Sequence, residues 1–290
     1  MVPGPPDAAA PVTDDPTTDA STPESPPDVA ERAADVADAL PSTPETAPPG
    51  PDVAPPVDVA PPSRLVGYWK FNETAGAIAI DSSGNGLEGT LESFPPNGQF
   101  VTTPHGGGVK FPIDVPSAGV RVGATNAVPA TIRDLQHFTI AAWTFRDPTN
   151  VSTRNMSVMS WQSQYLDDKD VFNLTFGGAQ LLLYVSDRPN DSTMLPATLS
   201  TGAAGGVWLH VAATFDGRYL RLYVNGALAA SLAYTRPLLA SPYPLFIGTN
   251  KNPKTVDQPF EGILDEVLLY SEALDEASIA QIRDGIIPLR

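Results

Sequence analysis

The sequence predicts an all-β fold of two stacked antiparallel sheets, and three observations point there. Apolar runs of about five to eight residues recur at roughly ten-residue spacing, and Gly, Asn, Asp and Pro separate them. No amphipathic helices alternate with these runs, which argues against a wound parallel sheet. The pattern begins only at Leu65.

Gly67 to Asn72 opens it, with Tyr68, Lys70 and Asn72 on one face and Trp69 and Phe71 on the other. Gly76 to Ile80 reads as the end of a further strand. His105-Gly106-Gly107-Gly108 lacks the strand-to-helix context of a phosphate cradle and reads as a loop. Phe138 to Phe145 is apolar on both faces, as a strand central to a covered sheet would be. Val171 to Phe176 aligns Phe172, Leu174 and Phe176, and Gly177-Gly178 turns the chain into Gln180 to Ser186, where Leu181, Leu183 and Val185 align. Trp208 to Phe215, the turn at Asp216-Gly217 and the alternating run Tyr219 to Val224 form two strands of a meander. Asn225-Gly226 supplies the two positive φ values of a type I′ turn into Ala227 to Tyr234. Leu245 to Gly248 and Gly262 to Tyr270 complete the strands. One short helix follows, with Asp275 as N-cap, an Ile279/Ile282 stripe and Gly285 at its close, placed to cover one end of the sandwich.

Composition divides the chain of 290 residues sharply. Residues 1–62 hold no aromatic residue, 17 of the 32 prolines, and twelve Asp or Glu against the single Arg32, or −11 of the net −16. Such a segment cannot bury enough apolar surface to offset the entropy of ordering it. Residues 1–63 are therefore expected to be a disordered acidic Pro/Ala-rich stalk or linker, and residues 64–290 one domain. A rival reading makes Val29 to Leu40 a short helix, although isolated helices of about a dozen residues are marginal in water. On this division, limited proteolysis should remove residues 1–62 and leave a compact remainder; protection of that segment would refute it.

The remaining net charge of about −5 lacks the basic footprint that nucleic-acid binding requires. No apolar run approaches the roughly 20 residues of a membrane span. The N-terminus shows no basic region followed by an apolar core, so an exported protein would need a signal from elsewhere. Cysteine is absent, which excludes disulfides and zinc-thiolate sites. An extracellular or cell-surface location without disulfides suggests a bacterial source. Five Asn-x-Ser/Thr sequons begin at Asn72, Asn150, Asn155, Asn173 and Asn190, and in a strand-rich chain full of Ser and Thr they read as coincidence.

Four blocks, in order, carry a family resemblance. They are Gly67-Tyr-Trp-Lys-Phe-Asn72 with Asp81-Ser-Ser-Gly-Asn-Gly86, then Phe138-Thr-Ile-Ala-Ala-Trp143. Next come Trp208 to Gly217 with Leu222-Tyr-Val-Asn-Gly226, and finally Phe260 to Val267 with Tyr270, Ala273, Leu274 and Ile279. Together they resemble the laminin-G-like jelly-roll domains of the concanavalin A-like lectin/glucanase class. The resemblance implies a jelly-roll sandwich and says little about activity, because the architecture serves lectins, adhesins, accessory modules and some hydrolases.

Such domains often hold calcium at the rim, and the resemblance implies Asp81, Asn85 and Asp265 as its ligands here. Calcium collects six to eight oxygens, which carboxylates, an Asn carbonyl and turn carbonyls can supply. The alternative is that Asp81 and Asn85 only make Asx-turn bonds. Asp81, Ser83, Asn85, Gly86 and Glu92 also match EF-hand positions, but a strand precedes Asp81 where a helix is required. Glucanases of this class aim carboxylates into one cleft with a period-two acidic run, and none occurs here. Asp265 and Glu266 are adjacent, so a regular strand would point them to opposite faces. His105, His137 and His210 are scattered, and no nucleophile elbow accompanies them.

Ligand contact is expected from the polar segments at residues 146–155, 162–170, 186–193 and 249–258. Trp161, Tyr165 and Tyr243 could stack on a sugar, or be ordinary core or rim aromatics. The expected function is a non-catalytic module binding a glycan or a protein, with calcium as its one candidate cofactor. A display domain without a small-molecule site is the alternative, and a glycoside hydrolase the third reading.

Overall fold

The computed structural model describes residues 64–288 apart from 97–98, 114, 116, 125–126, 150–154, 163–169, 189–190, 199–204 and 252–257. The expected stalk, with Val29 to Leu40, lies outside the described residues. Six short strands come first: β1 (Leu65–Trp69), β2 (Ile78–Ala79), β3 (Gly89–Glu92), β4 (Phe100–Thr103), β5 (Gly106–Lys110) and β6 (Gly119–Val122). After α1 (Ala130–Arg133) come β7 (Phe138–Arg146), β8 (Met156–Gln162), β9 (Asp170–Gly177), β10 (Gln180–Arg188) and β11 (Asp191–Thr198). The chain continues through β12 (Trp208–Phe215), β13 (Tyr219–Val224), β14 (Ala227–Ala233), β15 (Leu245–Ile247), β16 (Gly262–Tyr270) and α2 (Glu276–Arg283).

The strands form two antiparallel sheets. The first runs β14-β13-β12-β7-β16-β5-β4, with β1 also paired to β16, and the second runs β11-β10-β9-β8-β15-β6-β3-β2. Neighbours distant in sequence lie side by side, as in a jelly roll. Period-two alternation sends Trp69, Phe71, Phe138, Ile140, Phe172, Leu174, Phe176, Leu222 and Val267 into one core between the sheets. The meander is as the sequence predicts: β12 pairs β13, β13 pairs β14, and Asn225 and Gly226 take φ of 52° and 82°.

Two expectations are corrected. Helix α2 lies not over one end of the sandwich but on the outer face of the first sheet. Ile279 and Ile282 form a second apolar cluster there with Leu65, Tyr68, Ala141, Ala212, Tyr223, Leu268 and Tyr270. Ala141 and Ala212 are in register on the two central strands, and their small side chains let a helix approach. Its N-terminus is capped as expected, Asp275 accepting from the Ser278 N–H at 2.8 Å. The second correction concerns Gly106 to Gly108, which form the start of β5, not a loop. At Gly107 a Cβ would lie 2.5 Å from the Phe71 carbonyl oxygen, so the hairpin of β4 and β5 closes against the segment that follows β1 only because a side chain is missing.

Candidate functional site

The outer face of the second sheet is polar and yet buried. Phe172, Leu174 and Phe176 point into the core, so Asn173 and Thr175 point outward. Asn173 stands in register with Ser160 on β8 and Tyr184 on β10, and Thr175 with Ser157. Asn173, Ser160, Thr175 and Ser157 are nevertheless all buried. Chain flanking β15 and β16 lies over them: the Ser160 hydroxyl donates to the Thr249 carbonyl at 2.9 Å, and the Ser157 N–H to the Gln258 carbonyl at 3.2 Å.

Beside this cover a cleft of about 200 Å³ is lined by Asn155, Asp170, Asn173, Tyr184, Ser186, Ser192, Asn250 and Gln258. Each of the four polar segments that the sequence marks for ligand contact contributes a lining residue. Asn173 and Tyr184 come instead from mid-strand. The Asn250 amide donates to the Asp170 carboxylate at 2.6 Å, which fixes the amide and turns its oxygen away from that carboxylate. The Asn250 and Asn173 Oδ1 atoms and Gln258 Oε1 are buried and accept no hydrogen bond among the described residues. Asn173 and Asn250 are 3% and 5% exposed. Buried acceptors without donors carry a desolvation cost, typically about 1–3 kcal/mol each.

The residues predicted from sequence are placed differently. Trp161 is fully buried in the main core, with its Nε1–H donating to the Tyr243 carbonyl at 3.1 Å. It is a packing residue, and that position corrects its reading as a stacking platform; Trp161 sits opposite inward-facing Phe172 in the β8–β9 register. Tyr243 is half-buried, and Tyr165 lies outside the described residues.

Asp81 and Asp265 are not brought together by any shared hydrogen bond. Asp81 accepts at Oδ1 from the Tyr68 and Ser83 N–H groups and at Oδ2 from the Ser83 hydroxyl and the Leu87 N–H, at 2.8–3.0 Å. Burial opposes its ionisation, but these bonds outweigh that and hold its pKa below the usual carboxylate range. The Asn85 amide donates to the Leu65 and Val66 carbonyls. A carboxylate has about four acceptor positions, and those of Asp81 are taken by strand β1 and the turn that follows Asp81. The set therefore does not fit a calcium ion. Glu92, the last EF-hand match, pairs with Arg121 and Lys251. Among the described residues no group of three or more His, Cys, Asp or Glu is gathered for a metal.

Asp265 and Glu266 do not point to opposite faces as the sequence implies. Asp265 opposes Trp143 and Leu268 opposes Ala141, so one residue more than regular pairing allows lies between them. Glu266 absorbs the bulge with φ of 49°. Both carboxyls consequently belong to the outer face of the first sheet: Asp265 accepts from the Thr103 hydroxyl, and Glu266 from the Tyr68 hydroxyl. Asp265 has no exposed surface, and burial, opposed by the Thr103 bond and assisted by the Glu266 charge, pushes its pKa up to about 7. His210, opposite Trp143 on β12, is buried, and burial foremost holds its pKa down to about 3, so it is a neutral packing residue.

A family model described as the concanavalin A-like lectin/glucanases superfamily matches residues 119–280. No curated protein matches the chain. Among solved structures, the binding domain of Paraclostridial Mosquitocidal Protein 1 superimposes with a TM-score of 0.57 at 16% identity, over 76% of this chain and 52% of that one. The binding domain of botulinum neurotoxin DC does so in complex with rat synaptotagmin II (TM-score 0.57, 15% identity, 77% and 51% covered). The same domain in complex with SialylT gives a TM-score of 0.56, with the same identity and coverage. The chain spans about half the length of these structures, and at such identities the likeness is one of fold.

Proposed function

The chain belongs to the concanavalin A-like lectin/glucanases superfamily, and from that premise we propose that residues 64–290 form a non-catalytic binding module of the cell exterior that takes a glycan in the second-sheet cleft. One observation carries this reading: three residues that line the cleft, Asn173, Asn250 and Gln258, have buried amide oxygens that accept no hydrogen bond among the described residues. A sugar ring presents several hydroxyls, each able to donate to such an acceptor. The volume falls below the ~300–1,000 Å³ of drug-sized pockets, which suits a single ring of a longer chain. Asp170 is the one carboxylate among the described lining residues, whereas glycoside hydrolysis ordinarily uses two; this favours binding over cleavage. The receptor-binding domains that share the fold, one with a protein and one with SialylT, support the class of function.

A glycan array probed with the intact chain tests the proposal. Wild type should retain a neutral glycan, and Asn173→Ala and Asn250→Ala, checked for folding by circular dichroism, should lose it. An array on which nothing binds would favour the display-domain alternative.

A further inference from the structure

The outer face of the first sheet holds a second and larger cleft, of about 520 Å³, between β1, β7, β16 and the C-terminal end of α2. Its chemistry is the reverse of the first. Lys70, which shares its face of the opening segment with Tyr68 and Asn72, carries an ammonium that makes no hydrogen bond or ion pair among the described residues. It lies 5.0 Å from the Tyr68 ring centroid and near enough to Glu266 to favour that carboxylate's charge, without an ion-pair contact. Among the described residues the Trp143 indole N–H donates to no group, unlike those of Trp69 and Trp161. Asn72 accepts at its oxygen from the Gly107 N–H, and its amide hydrogens have no acceptor among the described residues. His105 stacks on Trp143 with centroids 3.9 Å apart and planes 18° apart, so the β4–β5 hairpin adds an aromatic wall. The remaining charges are largely engaged. Arg283 is forked onto Asp284 and bonded to the Asn225 carbonyl, and Glu266 accepts from Tyr68.

We propose that this cleft binds an organic carboxylate carried on a ring, an acidic sugar of the hexuronate class, with the carboxylate at Lys70 and Asn72 and the ring along His105 and Trp143. A lysine ammonium and neutral N–H donors without acceptors complement an oxyanion, and the aromatic pair gives the ring an apolar edge to lie against. The proposal is independent of the glycan cleft on the other sheet.

Glucuronate, glucose and acetate titrated into the full chain, read by tryptophan fluorescence, would test it. Glucuronate should bind, glucose should not compete, and Lys70→Met, which keeps the stem and removes the charge, should weaken binding at least ten-fold with an unchanged melting temperature. Asn173→Ala should bind glucuronate as wild type does. Unchanged affinity in Lys70→Met would overturn the proposal, as would acetate binding as tightly as glucuronate, because the cleft would then hold a bare anion and the ring would contribute nothing.

Discussion

Asp265 has one oxygen on the Thr103 hydroxyl and the other, Oδ1, buried with no donor. Its pKa is raised from 3.8 to about 7, so the folded state holds this proton more tightly than the unfolded chain does. The associated stability is fully present below about pH 4 and declines as pH rises towards about 7. Glu266, raised by burial, acts in the same direction. Asp265→Asn cannot ionise and should flatten this decline, gaining roughly 1–3 kcal/mol over wild type at pH 8. Urea melts at pH 4.5, 6 and 8 would show it, and an unaltered slope in the variant would assign the effect elsewhere. Asp81 has the opposite sign: its lowered pKa adds stability above about pH 4 that is lost on acidification. With its acceptor positions filled from within, added calcium or a chelator should leave the melting temperature where it was. A rise with calcium would mean that an ion displaces those N–H donors.

The elements differ in how openly their residues announce them. Strands β12 and β13 were legible to the residue, because an Asp-Gly turn joins them and an Asn-Gly turn ends β13, and β16 was legible as an apolar run opened by Gly262. Strand β8 was not, since Ser157 and Ser160 are polar residues buried by chain from far along the sequence, and no local pattern reports that. Strand β11 contains Pro196, which an edge strand tolerates and a sequence pattern discounts. Helix α2 was legible as a helix but not in its location, because its stripe states only that one side is apolar. Its packing predicts that Ile279→Ala, fully buried in the second cluster, costs about 2–5 kcal/mol in denaturant melts. A loss under about 0.5 kcal/mol would mean that the helix does not cover this sheet face.

Across the whole molecule, the two clefts open on the outer faces of opposite sheets, with the main core between them. Sites separated by a packed sandwich and sharing no residues should act additively. Glucuronate bound on the first sheet should therefore leave the glycan affinity of the second unchanged, and Asn250→Ala should leave the Lys70 cleft intact. Titration of each ligand in the presence of the other measures this, and a shift in either direction would reveal coupling through the core. No helix among the described residues is long and apolar enough to cross a membrane.

Local patterning by itself determined that the chain after residue 63 builds two antiparallel layers, which side of most strands faces inward, and which polar segments line the second-sheet cleft. Those properties depend on neighbours two residues apart or within one turn, where alternation and turn chemistry act. Only the tertiary structure decided that outward-facing Asn173 is buried beside Asn250, 77 positions later, that a bulge turns Asp265 and Glu266 to one face, and that Trp161 is core. Each depends on what distant chain packs over a face, and the residue types at a position are the same whether water or protein covers them.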